Sequence, residues 1–208
     1  MEMKDRIREK ATELFIKYGI KRITMDEVAA QLGISKKTIY QSFSDKNELV
    51  AEIIDAHLCN SEQNCLIDAQ KAENAIHAVL LSSETFCTVM QSINQNVLYD
   101  LEKFHPDVFK KFLQFKNNFL YNRIEENLKR GIEEELYRAD LDVVIMARFR
   151  LANVVISMNI ELFPSRKFNF MDVERQLTLH FLRGIVTPKG ERLIKKYSQV
   201  PAINQLSN

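Results

Sequence analysis

The stretch ITMDEVAAQLGISKKTIYQSF, residues 23–43, encodes two short capped helices joined by a glycine turn. Thr24 followed three residues later by Glu27 has the form of a capping box, and Ile23 is placed to staple against Val28 at the helix start. Val28, Ala29 and Leu32 share one face of that helix, and Gly33 supplies the left-handed conformation that commonly follows a helix end. Ser35 then caps a second helix through its hydroxyl, with Ile34 stapling to Ile39. Ile39 and Phe43 are four residues apart and turn inward together. Lys36, Lys37, Thr38, Tyr40 and Gln41 are left on the outside or at the amino end. This is the sequence form of a helix-turn-helix.

The outward residues suit nucleic acid. A helix entering the major groove touches bases mainly through its N-terminal residues, and its unpaired backbone N–H groups favour phosphate. Ser35, Lys36, Lys37 and Thr38 occupy that end. Tyr40 offers a phenol to a phosphate oxygen, and Gln41 fits an adenine edge or the DNA backbone. Lys46, at the start of a further helix opened by Ser44 or Asp45, adds another phosphate-facing cation. The competing reading is an ordinary solvated face, but caps, turn and core residues agree with one another here. Between residues 4 and 46 there are ten Lys or Arg against six Asp or Glu, a local charge of +4 within a chain whose total is +1. Phosphate binding follows the local cations, so affinity for DNA is expected to fall as salt rises.

Residues 11–50 together resemble the DNA-binding domain of the tetracycline-repressor (TetR) family. The matching residues are Ala11, Leu14 and Phe15 of the first helix, then Gly19, Thr24, Val28, Ala29, Gly33, Ser35, Thr38, Tyr40, Phe43, Lys46 and Leu49, without a gap. The resemblance implies an all-α homodimeric transcription regulator, usually a repressor that a small molecule releases from its operator. It places DNA contacts on Thr24, Lys36, Lys37, Thr38, Tyr40, Gln41 and Lys46. Many members carry a small residue, often glycine, where this chain has Lys37. A helical sensor or partner-binding protein with the same fold and no operator is the alternative.

Composition supports an all-α reading. Hydrophobic residues make up 46% of the chain, with 5 Gly and 4 Pro, and long stretches show helical periodicity without alternating β-branched runs. The charged start MEMKDRIREK is unlike a secretory signal, and the most apolar stretch, residues 143–163, is interrupted by Arg148 and Arg150. Cys59, Cys65 and Cys87 are odd in number and lack a zinc spacing, consistent with reduced thiols in a cytoplasmic protein. Two domains are expected: residues 1–48 for DNA, and residues 49–208 for an effector and for dimerisation.

Within the second domain, a long helix is expected over about 44–70 and another over 74–96. Pro106 then opens one that Gly131 closes. The aromatic run of that helix, with 13 Phe and 7 Met in the chain, suggests an apolar cavity for a hydrophobic or amphipathic effector. Phe86, Met90, Phe112, Phe115, Phe119 and Asn153 are its candidate lining. Segments 141–163 and 170–185 resemble the family's dimerising helix pair, with Val144, Ile145, Arg148, Leu151, Ala152, Val155, Met158, Leu177, His180, Phe181 and Gly184 as candidate interface residues. Arg148 and Arg150 invite either an effector carboxylate or, more in keeping with arginine, an ordinary ion pair.

No cofactor, metal or catalytic site is expected. Glu102 and His105 form one Glu-x-x-His pair where helical di-iron sites need two, and the four histidines are scattered. The Glu133–Glu135 run reads as a solvated charge cluster in a turn.

Overall fold

The computed structural model describes residues 2–94 and 96–199, and among these all regular structure is helical. The first helices are α1 (Met3–Tyr18), α2 (Met25–Leu32), α3 (Lys36–Ser42), α4 (Lys46–Lys71), α5 (Ala75–Ser92) and α6 (Val97–Phe104). They are followed by α7 (Pro106–Gln114), a π-helical segment (Phe115–Leu120), α8 (Tyr121–Glu133), α9 (Val143–Ser157), α10 (Phe170–Ile185) and α11 (Pro188–Gln199). An isolated antiparallel bridge joins Tyr137 to Val186. The chain forms two compact units, Met1–Asn64 with Thr88–Phe119, and Cys65–Cys87 with Leu120–Asn208. Residue 95 and residues 200–208 of the expected second domain lie outside the described residues.

The first unit is built on the interior side of α1 to α3. Ile7, Ala11, Leu14 and Phe15 recur at helical spacing on α1 and are buried with Val28 and Ala29 of α2, Ile39 of α3, and Phe43. Leu49, Val50 and Ile53 of α4 close this core, and Leu101 of α6 and Val108 of α7 join it. The unit therefore extends beyond residues 1–48. Backbone bonds explain why: Asn94 N–H donates to the Ile16 carbonyl (2.8 Å), and Lys21 N–H donates to Asp100 Oδ2 (2.8 Å).

The second unit has its own core of Ala75, Ile76, Leu128, Leu136, Tyr137, Ala147, Phe181, Leu182, Ile185 and Ile194. Asn74 caps α5 by accepting from His77 N–H at 3.0 Å. Three local expectations are corrected here. The helix that begins at Pro106 is interrupted by the π segment, and it ends after Glu133 instead of at Gly131. Gly131 lies inside α8, and the left-handed residue is Glu135 (φ 57°), with Leu136 N–H bonding the Gly131 carbonyl and Glu135 N–H the Ile132 carbonyl. Nor is the glutamate run merely solvated, since Glu134 accepts from Arg130 Nε and from Ala75 N–H, both at 2.7 Å. Segment 141–163 is also shorter as a helix than its apolar length suggests. Asn159 Oδ1 accepts from Glu161 and Leu162 N–H (2.9 and 3.0 Å), a local turn that competes with continued helix.

Candidate nucleic-acid interface

Local chemistry sets the geometry of α2 and α3. Thr24 Oγ1 accepts from Glu27 N–H (3.2 Å), while Glu27 Oε2 accepts from Thr24 N–H (2.6 Å), completing a capping box. These bonds to Thr24 hold the Glu27 carboxyl below the usual carboxylate range. Gly33 sits at φ 65°, and its N–H and that of Ile34 bond back to α2 carbonyls. Ser35 Oγ accepts from Thr38 N–H at 3.1 Å and lies 2.9 Å from Thr38 Oγ1. Ile39 and Phe43 are buried, which fixes the rotation of α3 about its axis. As a consequence Ser35, Lys36, Lys37, Tyr40 and Gln41 are exposed, Thr38 is half-buried, and Thr24 is exposed at the start of α2.

The cations differ in their present partners. Lys37 is exposed with no ion pair among the described residues. Lys36 pairs with Asp26 of α2, which raises its pKa. Both groups are solvent-facing, so this pair is weak and yields readily to a phosphate. Lys46 is half-buried and donates to the Ile20 carbonyl (2.6 Å), with Phe15 beneath its ammonium at 5.8 Å. Burial lowers its pKa, and Asp100 and Glu27 oppose that shift. An ammonium has three donors, so the Ile20 bond leaves two for another oxygen. Asp45 Oδ1 caps α4 through Glu48 N–H (2.8 Å), while Ser44 bonds the Glu48 carboxylate through N–H and hydroxyl, so both expected cap residues are used.

A family model of bacterial regulatory proteins, tetR family, matches residues 7–53. Residues 7–53 are thus similar to the tetR-family regulatory proteins. An uncharacterized HTH-type transcriptional regulator of Mycobacterium tuberculosis strain H37Rv is 24% identical over 75 residues, 36% of this chain and 40% of that protein. The chain thus spans less than half the length of that curated relative. The HTH-type transcriptional regulator YhgD of Bacillus subtilis is 27% identical over 138 residues, covering 63% of this chain and 72% of that protein. Among solved structures, the reduced form of E. coli NemR superposes with a TM-score of 0.73 at 14% identity, over 90% of this chain and 99% of that one. That likeness is one of fold. The relatives are regulators by name, and the family is one of regulators rather than enzymes.

The remaining site expectations fall on separate elements. Met90, Phe112, Phe115 and Phe119 lie in the first unit and Phe86 and Asn153 in the second, all half-buried. Phe115 and Phe119 stack at 5.5 Å on the π segment. Val144, Ile145, Arg148, Ala152 and Val155 are exposed along one side of α9, and His180 and Gly184 are exposed on α10. Met158 and Leu177 are half-buried, whereas Leu151 and Phe181 are buried within the protomer. Phe149 and Ile156 (48% and 40% exposed) extend the α9 stripe and were missed by sequence reasoning. Their spacing from Ile145 and Ala152 was the available signal.

The two arginines of α9 part company. Arg148 is exposed and lies over the Tyr121 ring (5.5 Å). Arg150 is buried and pairs with Glu174 of α10 (3.2 Å). Neither Glu102 nor His105 belongs to a metal-holding group, and no such group occurs among the described residues. His105 is buried at the start of α7 with Nδ1 2.9 Å from Asn47 Oδ1, and burial followed by nearby Lys46 lowers its pKa. Cys59, Cys65 and Cys87 form no disulfide, and burial pushes the Cys87 thiol up to about 11. No described helix is long and apolar enough to cross a membrane.

Proposed function

We propose that this chain is a DNA-binding transcription regulator, a repressor released from a double-stranded operator by a small hydrophobic or amphipathic effector in the cytoplasm. The observation that carries the reading is the capped α2–turn–α3 unit, which buries Ile39 and Phe43 and turns Lys36, Lys37, Tyr40 and Gln41 outward. Residues 1–48 serve as the reader and residues 49–208 as the effector and dimer domain. A single helix-turn-helix covers one half-site, so a homodimer engages two, roughly 34–36 Å apart. The exposed apolar stripe of α9 favours that assembly. Effector binding acts by favouring a conformation in which the two α3 helices no longer match successive major grooves. Operator and effector then weaken each other by the same factor.

The test is fluorescence anisotropy of the purified protein with DNA flanking its own gene, across a salt series, against an unrelated duplex. A salt-sensitive preference for the flanking DNA is expected. Tyr40→Phe should weaken binding to both duplexes alike, whereas Lys37→Ala should change the preference between them. Equal binding to both duplexes at every salt concentration, unaltered by either change, would sink the reading.

A further inference from the structure

The second unit contains a polar cluster that DNA recognition does not use. Arg150 of α9 and Glu174 of α10 meet with side-chain exposures of 8% and 1%. Thr178, one turn beyond Glu174, donates to Glu174 Oε1 (2.9 Å) and accepts from Arg150 Nη2 (3.0 Å). Ser83 of α5 lies 3.4 Å from the same carboxylate oxygen and 3.3 Å from Thr178 Oγ1. The charged pair takes part in these bonds through one oxygen, Glu174 Oε1, and one nitrogen, Arg150 Nη2. Arg150 Nη1 and Glu174 Oε2 are buried with no hydrogen-bond partner among the described residues.

That asymmetry is informative. Arginine and carboxylate commonly meet through two parallel bonds, which would use both nitrogens and both oxygens. Here the Thr178 and Ser83 hydroxyls gather at Oε1, leaving one strong donor and one strong acceptor unmet in the interior. Buried polar groups are nearly always satisfied, so a matched donor and acceptor left over mark a place for a polar group from outside the chain. Apolar surface adjoins it on the same helices. Phe86 is three residues beyond Ser83, and Phe170 is four before Glu174, so each shares a helix face with the cluster. Their rings meet edge to face at 5.6 Å.

We propose that the second unit binds a neutral amphipathic molecule whose hydroxyl or primary amide accepts from Arg150 Nη1 and donates to Glu174 Oε2, with its apolar body against Phe86 and Phe170. Charge selects this class. Arg150 is already answered by Glu174, so a ligand carboxylate would face the Glu174 carboxylate, and a ligand ammonium would face the Arg150 guanidinium. Either places like charges together in a low-dielectric interior. A neutral group carrying both a donor and an acceptor satisfies both free atoms without that cost.

The proposal names the chemical class of the effector and rests on the effector-responsive reading only for its consequence at DNA. Binding is therefore measured first on the full chain alone, by calorimetry with octanol, octanamide, octanoate and octylammonium. The two neutral probes are expected to bind about tenfold or more tighter than the two charged ones, the scale of one well-made buried hydrogen bond. The double variant Arg150→Met, Glu174→Leu, which replaces the pair by apolar side chains of similar size, should bind octanol and octanamide about tenfold more weakly, because it offers their polar ends no partner. Thr178→Val should let the pair close into its two-bond form and weaken octanamide about tenfold, which keeps the test decisive should the double variant misfold. Tightest binding of octanoate, an unchanged ranking in Thr178→Val, or no binding of any probe would overturn the proposal. Tight octanamide binding with unaltered operator affinity would keep the site and refute the effector reading alone.

Discussion

Gly131 shows how much one side chain decides. A Cβ there would lie 2.0 Å from Tyr137 Cδ2, and Tyr137 is 1% exposed with its hydroxyl 3.1 Å from Asn127 Oδ1. The ring has no direction in which to yield without losing that bond. Gly131→Ala is expected to cost about 1–3 kcal/mol through overpacking, read as a lower urea midpoint with unchanged slope. Gly184→Ala is the matched control, because nothing lies within 4 Å of a Cβ there. It should stabilise the protomer by up to about 1 kcal/mol, the ordinary helical preference for alanine. Equal effects of the two changes would contradict the close-approach account of Gly131. The same distinction corrects the sequence reading: a glycine late in a helix looks like a stop, and only the position of Tyr137 shows that it is a packing site.

At the scale of elements, α2 and α3 are short enough that their ends matter as much as their faces. Helices of eight and seven residues have few internal bonds, so caps and tertiary burial supply their stability. Thr24→Ala removes the Oγ1 acceptor for Glu27 N–H and should destabilise the first unit by about 1 kcal/mol, whereas Thr24→Ser should largely restore it. Thermal unfolding of both variants checks this, and an unaffected Thr24→Ala protein would show that the box contributes nothing. The caps were legible because they are local, each spanning three residues of sequence. The break in the helix opened by Pro106 was not legible, since the π segment lies within a run that is helical by periodicity throughout.

For the whole molecule, the exposed face of α9 bears on assembly. Val144, Ile145, Phe149, Val155 and Ile156 of α9 are between 36% and 57% exposed, an apolar stripe of the kind a second copy covers. Ile145→Glu is expected to shift the protein to monomer in analytical ultracentrifugation while leaving its helical circular dichroism intact, because Ile145 is 57% exposed in the protomer. Operator affinity should fall by far more than nonspecific binding, since only the two-site mode needs the dimer. A dimer that survives Ile145→Glu would remove α9 from the interface.

The sequence by itself determined whatever is local or periodic: the two caps, the Gly33 turn, the inward Ile39 and Phe43, the basic outer face of α3, and the helical class of the chain. These depend on residues within a turn or two of one another, where spacing fixes geometry. Only the tertiary structure decided which polar groups meet across long intervals of sequence. Arg150 read as an ion-pair member more readily than as a ligand anchor, but its partners were unknown until α10 placed Glu174 and Thr178 beside it. Lys46 read as a phosphate-facing cation, and only the fold places the Ile20 carbonyl 2.6 Å from its ammonium. The α9 residues divided into a buried set and an exposed set only once α8 and α10 had packed against that helix, because apolar residues lie on every side of it and spacing groups them into faces without saying which face its own chain covers.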